Sequence, residues 1–340
     1  MALFSSPAAA FDYLQPLPNE VPVPANNPIT ATKVELGKKL FFDSRLSLDG
    51  TLSCNSCHNL MSGGEDGRAF SIGFQGKETR RSAQSLWNVA FKTVLFWDGH
   101  AKSLETQTIE HILDKTITGY TNESDFIKRI SSISGYQQAF NNAFKNALNK
   151  PVEINLELVS QAISSFERTL TTPDSRFDRY IKGEKSLLTE QEKRGMGEFR
   201  LKGCIACHFG VNFSGPAPGP ALKMGDGFYE LFPNNRGSKY DKLYNLLEDK
   251  GIYYLTKNPG HEYMWRVPSL RNIALTAPYF HNGSARTLRE AILIMGKTQY
   301  GHDLSEQQVE DIQAFLKSLT GKTPDITLPR LPASSGKSVY

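Results

Sequence analysis

Apolar residues recur at helical spacing along most of the chain and rarely alternate at strand spacing. The first clear run is 30–43, TATKVELGKKLFFD, with Thr30 placed as an N-cap. Further helical patterns fall at 103–114, 122–132, 136–148 and 155–170. Another starts at Thr189, where Glu192 follows three residues on, as in a capping box. That helix is predicted to carry the second cysteine motif. The last two patterns cover 284–295 and 305–319. Residues 59–85 are glycine-rich and charged, a long loop of the kind compact domains keep for function. Residues 1–28 are proline-rich and read as an extended arm, packed on the surface or mobile. Residues 322–340 read as an extended tail. The pattern therefore predicts an all-α fold with few short strands. It has two similar halves, 29–180 and 181–321, each built of a capped helix, a short motif, loops and more helices.

Composition narrows the class without naming a function. The chain has 340 residues, 39% hydrophobic and 22% charged, which is ordinary for a globular protein. A net charge of +4 from 39 basic and 35 acidic residues is too balanced to argue for nucleic acid. The sequence has no run of 18 apolar residues, so no membrane-spanning helix is expected. The start, MALFSSPAAAF, lacks the basic region of a complete signal peptide, and a leader beyond this sequence is expected.

The four cysteines carry the chemistry. They fall as Cys54 and Cys57, then Cys204 and Cys207, each pair followed at once by a histidine, His58 and His208. The strings CNSCH and CIACH match the C-x-x-C-H pattern of c-type haem attachment. Cysteines three apart reach two positions of one porphyrin, and the next residue presents an imidazole to the iron. A zinc site would have to bring together pairs about 150 residues apart and leave both histidines idle. Disulfides within each pair would be strained. Two covalent haems, one per half, are the expected cofactors. Covalent attachment of haem in bacteria points to the periplasm.

The sixth ligand separates an electron carrier from an enzyme. For the second haem the downstream methionines are Met224, Met264 and Met295. Met295 shares one predicted helical face with Leu288, Ala291 and Ile292, though core packing explains a methionine there equally well. For the first haem, Met61 follows His58 too closely, and His100 and His111 lie further on.

The order and spacing of CNSCHNL, SIG, FWDG, FERTLTTPDSRFDRYIKG, GCIACHFGVNF, RVPSLRNIALTAPYFHNG and AILIMG resemble the bacterial di-haem cytochrome c peroxidases, from about residue 18 to residue 333. That group includes MauG, which matures methylamine dehydrogenase. The resemblance implies two class I cytochrome c-like domains. Cys54, Cys57 and His58 would hold a low-potential peroxidatic haem. Cys204, Cys207, His208 and Met295 would hold a high-potential, electron-accepting haem. Trp97 would relay electrons between them. A calcium ion is implied at the carbonyls of Thr276 and Pro278, with Ser82 where the family usually has asparagine. Hydrogen peroxide, a small cytochrome c or cupredoxin donor, and a homodimer are the implied partners.

Two departures from the family stand out. Phe74 occupies the place of the histidine that caps the peroxidatic iron, which suits a haem open at rest, as in MauG. The distal glutamate's position falls near Ile117, although Gln107 is kept and Glu110, His111 and Asp114 lie close by. Loss of that acid–base group should slow O–O cleavage by about 10²–10⁴-fold if nothing substitutes for it. MauG carries tyrosine on its second haem, whereas methionine here suits electron acceptance from a donor protein. Three functions follow: a peroxidase, a MauG-like oxidase of a protein or organic substrate, and a non-catalytic di-haem carrier. The carrier reading expects a six-coordinate first haem, through His100 or His111.

Overall fold

The computed structural model describes residues 14–148, 152–215 and 229–333. The chain begins with α1 (Ala31–Phe42), α2 (Cys54–Cys57) and α3 (Leu104–Ile112). These are followed by α4 (Glu123–Ser131), α5 (Ser134–Leu148) and α6 (Leu156–Glu167). The second half starts with α7 (Arg176–Ile181) and α8 (Glu190–Leu201) and ends with α11 (Leu288–Tyr300) and α12 (Glu306–Ser318). Two short helices, α9 (Lys239–Leu243) and α10 (Tyr253–Thr256), lie between. Among the described residues there is one sheet, an antiparallel pair of β1 (Tyr229–Leu231) and β2 (Met264–Arg266), with Glu230 opposite Trp265. Helices starting at Ala31 and Glu190 are capped as expected: Thr30 Oγ1 accepts from Lys33 N–H, and Thr189 and Glu192 form a capping box.

The two halves repeat one packing device. In the first, α1 crosses α6 so closely that a Cβ on Gly37 would stand 1.9 Å from Ala162 O. In the second, α8 crosses α12, and a Cβ on Gly195 would stand 1.8 Å from Asp311 O. Each crossing anchors its own core. Tyr136, Phe140, Val159 and Ile163 pack in the first, and Phe177, Phe199, Phe213 and Phe315 in the second. Phe177 lies in α7, so the packing of the second half begins a few residues ahead of position 181. A further cluster of Phe41, Leu60, Trp87, Phe166 and Leu170 lies on the first half's side of the junction.

The second cysteine motif does not continue α8 as predicted. The helix stops at Leu201, Gly203 takes φ +84°, and Cys204–Ala206 form a separate 3₁₀ turn. The first motif forms its own single turn, α2, capped at its start by Ser53 and Ser56 and closed at its end by His58 N–H donating to Cys54 O.

Both extended segments are pinned, and each crosses to the other half. Leu14 and Leu17 are buried, Leu14 pairs with Gly210, and Leu17 N–H donates to Asp178. Asp178 in turn pairs with Arg271, and both side chains are almost fully buried. The C-terminal segment returns to the first half, where Ile326 packs against the Phe41 cluster and Pro332 O accepts from Arg45.

Candidate functional site

Two cavities lie side by side, one in each half. The first, about 630 Å³, is lined by Cys54, Cys57 and His58. The second, about 230 Å³, is lined by Cys204, Cys207 and His208. All four cysteines are free thiols. Burial pushes Cys54 up to about 12 and Cys204 to about 11, so both stand as neutral thiols rather than reactive thiolates. Each histidine is held by its Nδ1, His58 to Gln84 O at 2.9 Å and His208 to Phe213 O at 3.0 Å. Donation from Nδ1–H leaves Nε2 with a free lone pair, the tautomer an axial ligand needs. Burial pushes both rings down to about 4, which keeps them neutral.

The wall of the second cavity holds buried polar groups without a protein partner. The buried Nε1 atoms of Trp87 and Trp265 and Nε2 of His281 have no hydrogen-bond partner. All three side chains line the second cavity. Two cations there bind only uncharged oxygens. Lys92 donates to Ser85 O, and Arg266 donates to Phe96 O, Val267 O and Gln84 Oε1. Burial, with the Arg266 charge adding to it, pushes Lys92 down to about 7, and burial pushes Arg266 to about 10. Unpaired donors and cations of this kind call for an acidic group such as a porphyrin propionate. Together with the free thiols and the oriented imidazoles, they fit a covalently held haem in each cavity.

The expected site residues are distributed as follows. Met295 lines the second cavity together with Leu288, Ala291 and Ile292, so the predicted helical face is the cavity face. Met264 lies in β2 and does not line this cavity, and Met224 lies outside the described residues. Trp97 lines both cavities, and its Nε1–H donates to Ser82 O at 2.8 Å. Ser82, Thr276 and Pro278 share the wall of the second cavity. No group of three His, Cys, Asp or Glu among the described residues is arranged to hold a metal ion, so a cation there would rely on carbonyl and hydroxyl oxygens.

In the first cavity, Gln107, His111, Asp114 and Ile117 are on the wall, whereas Phe74 and Glu110 are not. Phe74 sits on a 3₁₀ turn, its N–H bonded to Thr116 O at 2.7 Å and its ring packed on Gly119. His100 has both nitrogens engaged, Nδ1 with Asp98 and Nε2 with Glu110 at 2.7 Å. That removes His100 as an iron ligand and leaves His111 as the candidate. Burial opposes the positive charge on His100, but Asp98 and Glu110 outweigh it and raise its pKa. Burial works to raise Asp98, but hydrogen bonding to His100 and the Arg81 charge hold it at about 2.

The sequence reading missed Gln84 and Arg266. Gln84 accepts from the His58 ring through its backbone, and from Arg266 through its side chain. Arg266 N–H also donates to Trp97 O at 3.0 Å, joining the second half to the first. Arg266 opens the RVPSLRN string, a signal that was present but had no partner in sequence.

Two cavities, each lined by a C-x-x-C-H motif and meeting at one tryptophan, define a di-haem oxidoreductase architecture. A family model described as di-haem cytochrome c peroxidase matches residues 31–186. The cytochrome c551 peroxidase of Pseudomonas aeruginosa is 39% identical, over 98% of this chain and 93% of its own. MauG, the methylamine utilization protein of Methylophilus methylotrophus, is 30% identical, over 93% and 90%. Among solved structures, a MauG-like protein associated with microbial copper homeostasis superposes with a TM-score of 0.77. It is 30% identical, covering 93% of this chain and 96% of its own. The chain belongs to the di-haem cytochrome c peroxidase family, whose members carry two c-type haems.

Proposed function

We propose that the protein is a periplasmic di-haem peroxidase, fed with electrons at the second cavity and reducing hydrogen peroxide at the first. The observation that carries this reading is Trp97, which stands in the walls of both cavities while Arg266 and Gln84 tie its backbone to the His58 ring. Bound haem supplies the redox chemistry, and the chain supplies binding, orientation and proton handling. His208 and Met295 line the electron-accepting side, and Lys92 and Arg266 offer charge to carboxylates between the sites. One peroxide takes two electrons and two protons to give two waters. Glu110, His100 and Asp98 form a hydrogen-bonded line from an exposed carboxylate to the first cavity's wall, and protons enter along it. Calcium at Ser82, Thr276 and Pro278 would brace that junction beside Trp97.

The test is oxidation of a reduced small cytochrome c or cupredoxin by peroxide, catalysed by the holoprotein. Two donors should be oxidised per peroxide, and Trp97→Phe should slow turnover at least tenfold while both haems remain bound. Absence of any spectral change with peroxide, in every oxidation state, would defeat the reading. A second reading, a MauG-like oxidase, draws on the likeness to a MauG-like structure. It requires a first haem that reacts with peroxide without prior reduction.

A further inference from the structure

His58 and His111 both line the first cavity, with their rings close together. Their ring centroids are 6.1 Å apart, and their planes are inclined at 49°. Neighbouring rings are often this far apart, but the separation also leaves room for one metal ion between two imidazole nitrogens. It is the spacing of two imidazoles bound to opposite faces of one iron. Bonds from a metal to an imidazole nitrogen run about 2.0–2.1 Å, which with half a ring on each side sums to about 6 Å between centroids.

The surroundings of His111 match those of a ligand. Its Nδ1 lies 2.9 Å from the Gln107 amide nitrogen, while Gln107 Oε1 is buried without a partner. The two amide positions exchange by a half-turn of the side chain. In the turned form Oε1 accepts the His111 Nδ1–H, the Gln107 amide nitrogen takes the unpartnered position, and the His111 Nε2 keeps a free lone pair. His58 is held in the same way, by Nδ1–H to a carbonyl of Gln84. The edge of the His111 ring is fixed against Phe96, with centroids 4.9 Å apart at 73°. His111 is thus locked by one polar and one aromatic neighbour, as metal-binding histidines are. The competing positions fail: Phe74 has no donor atom and is packed on Gly119, and both His100 nitrogens are taken.

We propose that His111 is the second axial ligand of the first haem iron in the oxidised protein, opposite His58. This rests on the two-haem reading and adds to it a closed resting state. The cap that the sequence loses at Phe74 is supplied instead from α3, one helical turn beyond Gln107. A ring released from that position remains beside Gln107, where the family's glutamate would act and this chain has Ile117.

Electron paramagnetic resonance of the oxidised holoprotein tests the assignment without peroxide or donor. Wild type should show two low-spin haems, and near-infrared magnetic circular dichroism should show one bis-histidine and one histidine–methionine centre. His111→Ala should convert one low-spin signal to high-spin, leave the other unchanged, and regain low spin on addition of imidazole. His100→Ala should leave both signals low-spin. A high-spin first haem in wild type, or a low-spin pair that survives His111→Ala, would overturn the proposal. Should His111→Ala fail to accumulate, the wild-type near-infrared spectrum decides alone. The peroxidase reading fails on a different result, loss of peroxide turnover, so the two are separable. Failure of Cys54 and Cys57 to hold a haem would remove both.

Discussion

Asp178 shows how much a single residue can tie together. Its carboxylate accepts from Leu17 N–H in the arm, from Ser175 N–H and Oγ–H at the start of α7, and from two Arg271 nitrogens. Arg271 also donates to Gln15 O and Val211 O, so one buried ion pair fastens the arm to the loop after the second motif. Removing one partner of such a pair strands the other charge out of water. Asp178→Ala should therefore cost about 3–5 kcal/mol, read as a lowered midpoint in denaturant unfolding of the holoprotein. A loss under about 1 kcal/mol would mean that water reaches Arg271. No period in the sequence announces this pair, because its members are 93 positions apart. The same is true of Gln84 and Arg266, 182 positions apart. By contrast, the cysteines and their histidines are adjacent in sequence, so their chemistry was legible at once.

At the scale of elements, periodicity and caps located most helices to within a few residues. Thr30, Thr189 and Ser305 each cap a helix where the pattern begins. The failure at the second motif has a local cause. Apolar spacing continues through GEFRLKGC, but Gly203 adopts the left-handed region under the Tyr300 ring and ends α8 first. The matching crossings of α1 on α6 and α8 on α12 depend on Gly37 and Gly195, and a lone glycine inside a helix says nothing of what passes beside it. Gly195→Ala would gain helix propensity yet drive a methyl into the Asp311 carbonyl. Overpacking there should outweigh the gain and destabilise by about 1–3 kcal/mol. Thermal unfolding with both haems retained would measure it, and an unchanged or raised midpoint would mean the two helices can separate at little cost.

Over the whole molecule, the two halves are similar in plan and different in what faces each imidazole. The cavity of His58 contains Gln107 and His111, while the cavity of His208 contains Met295. Polar links cross the junction, Arg266 to Phe96 and Trp97, Arg81 to Asp249, and Tyr229 to Gly99, beside a buried apolar cluster of Leu17, Ala90, Phe91 and Val211. The arm on the second half and the tail on the first strap the pair together. The mostly helical fold with few strands was legible because periodicity and caps are written in neighbouring residues. His100 and His111 stayed equal candidates for the first haem in sequence, because only the fold shows His100 engaged with Asp98 and Glu110. An asymmetric pair of sites suits one haem that collects electrons and another that waits for peroxide.

The decisive measurement adds one equivalent of peroxide to the holoprotein, once fully oxidised and once after reduction by one electron, with both spectra recorded in a stopped flow. With the first site capped by His111 and fed through Trp97, the oxidised form should stay unchanged, and the half-reduced form should react at once and then oxidise added donor. Rapid reaction of the fully oxidised form would contradict the closed site and favour the oxidase. Silence in both states would contradict peroxide chemistry altogether.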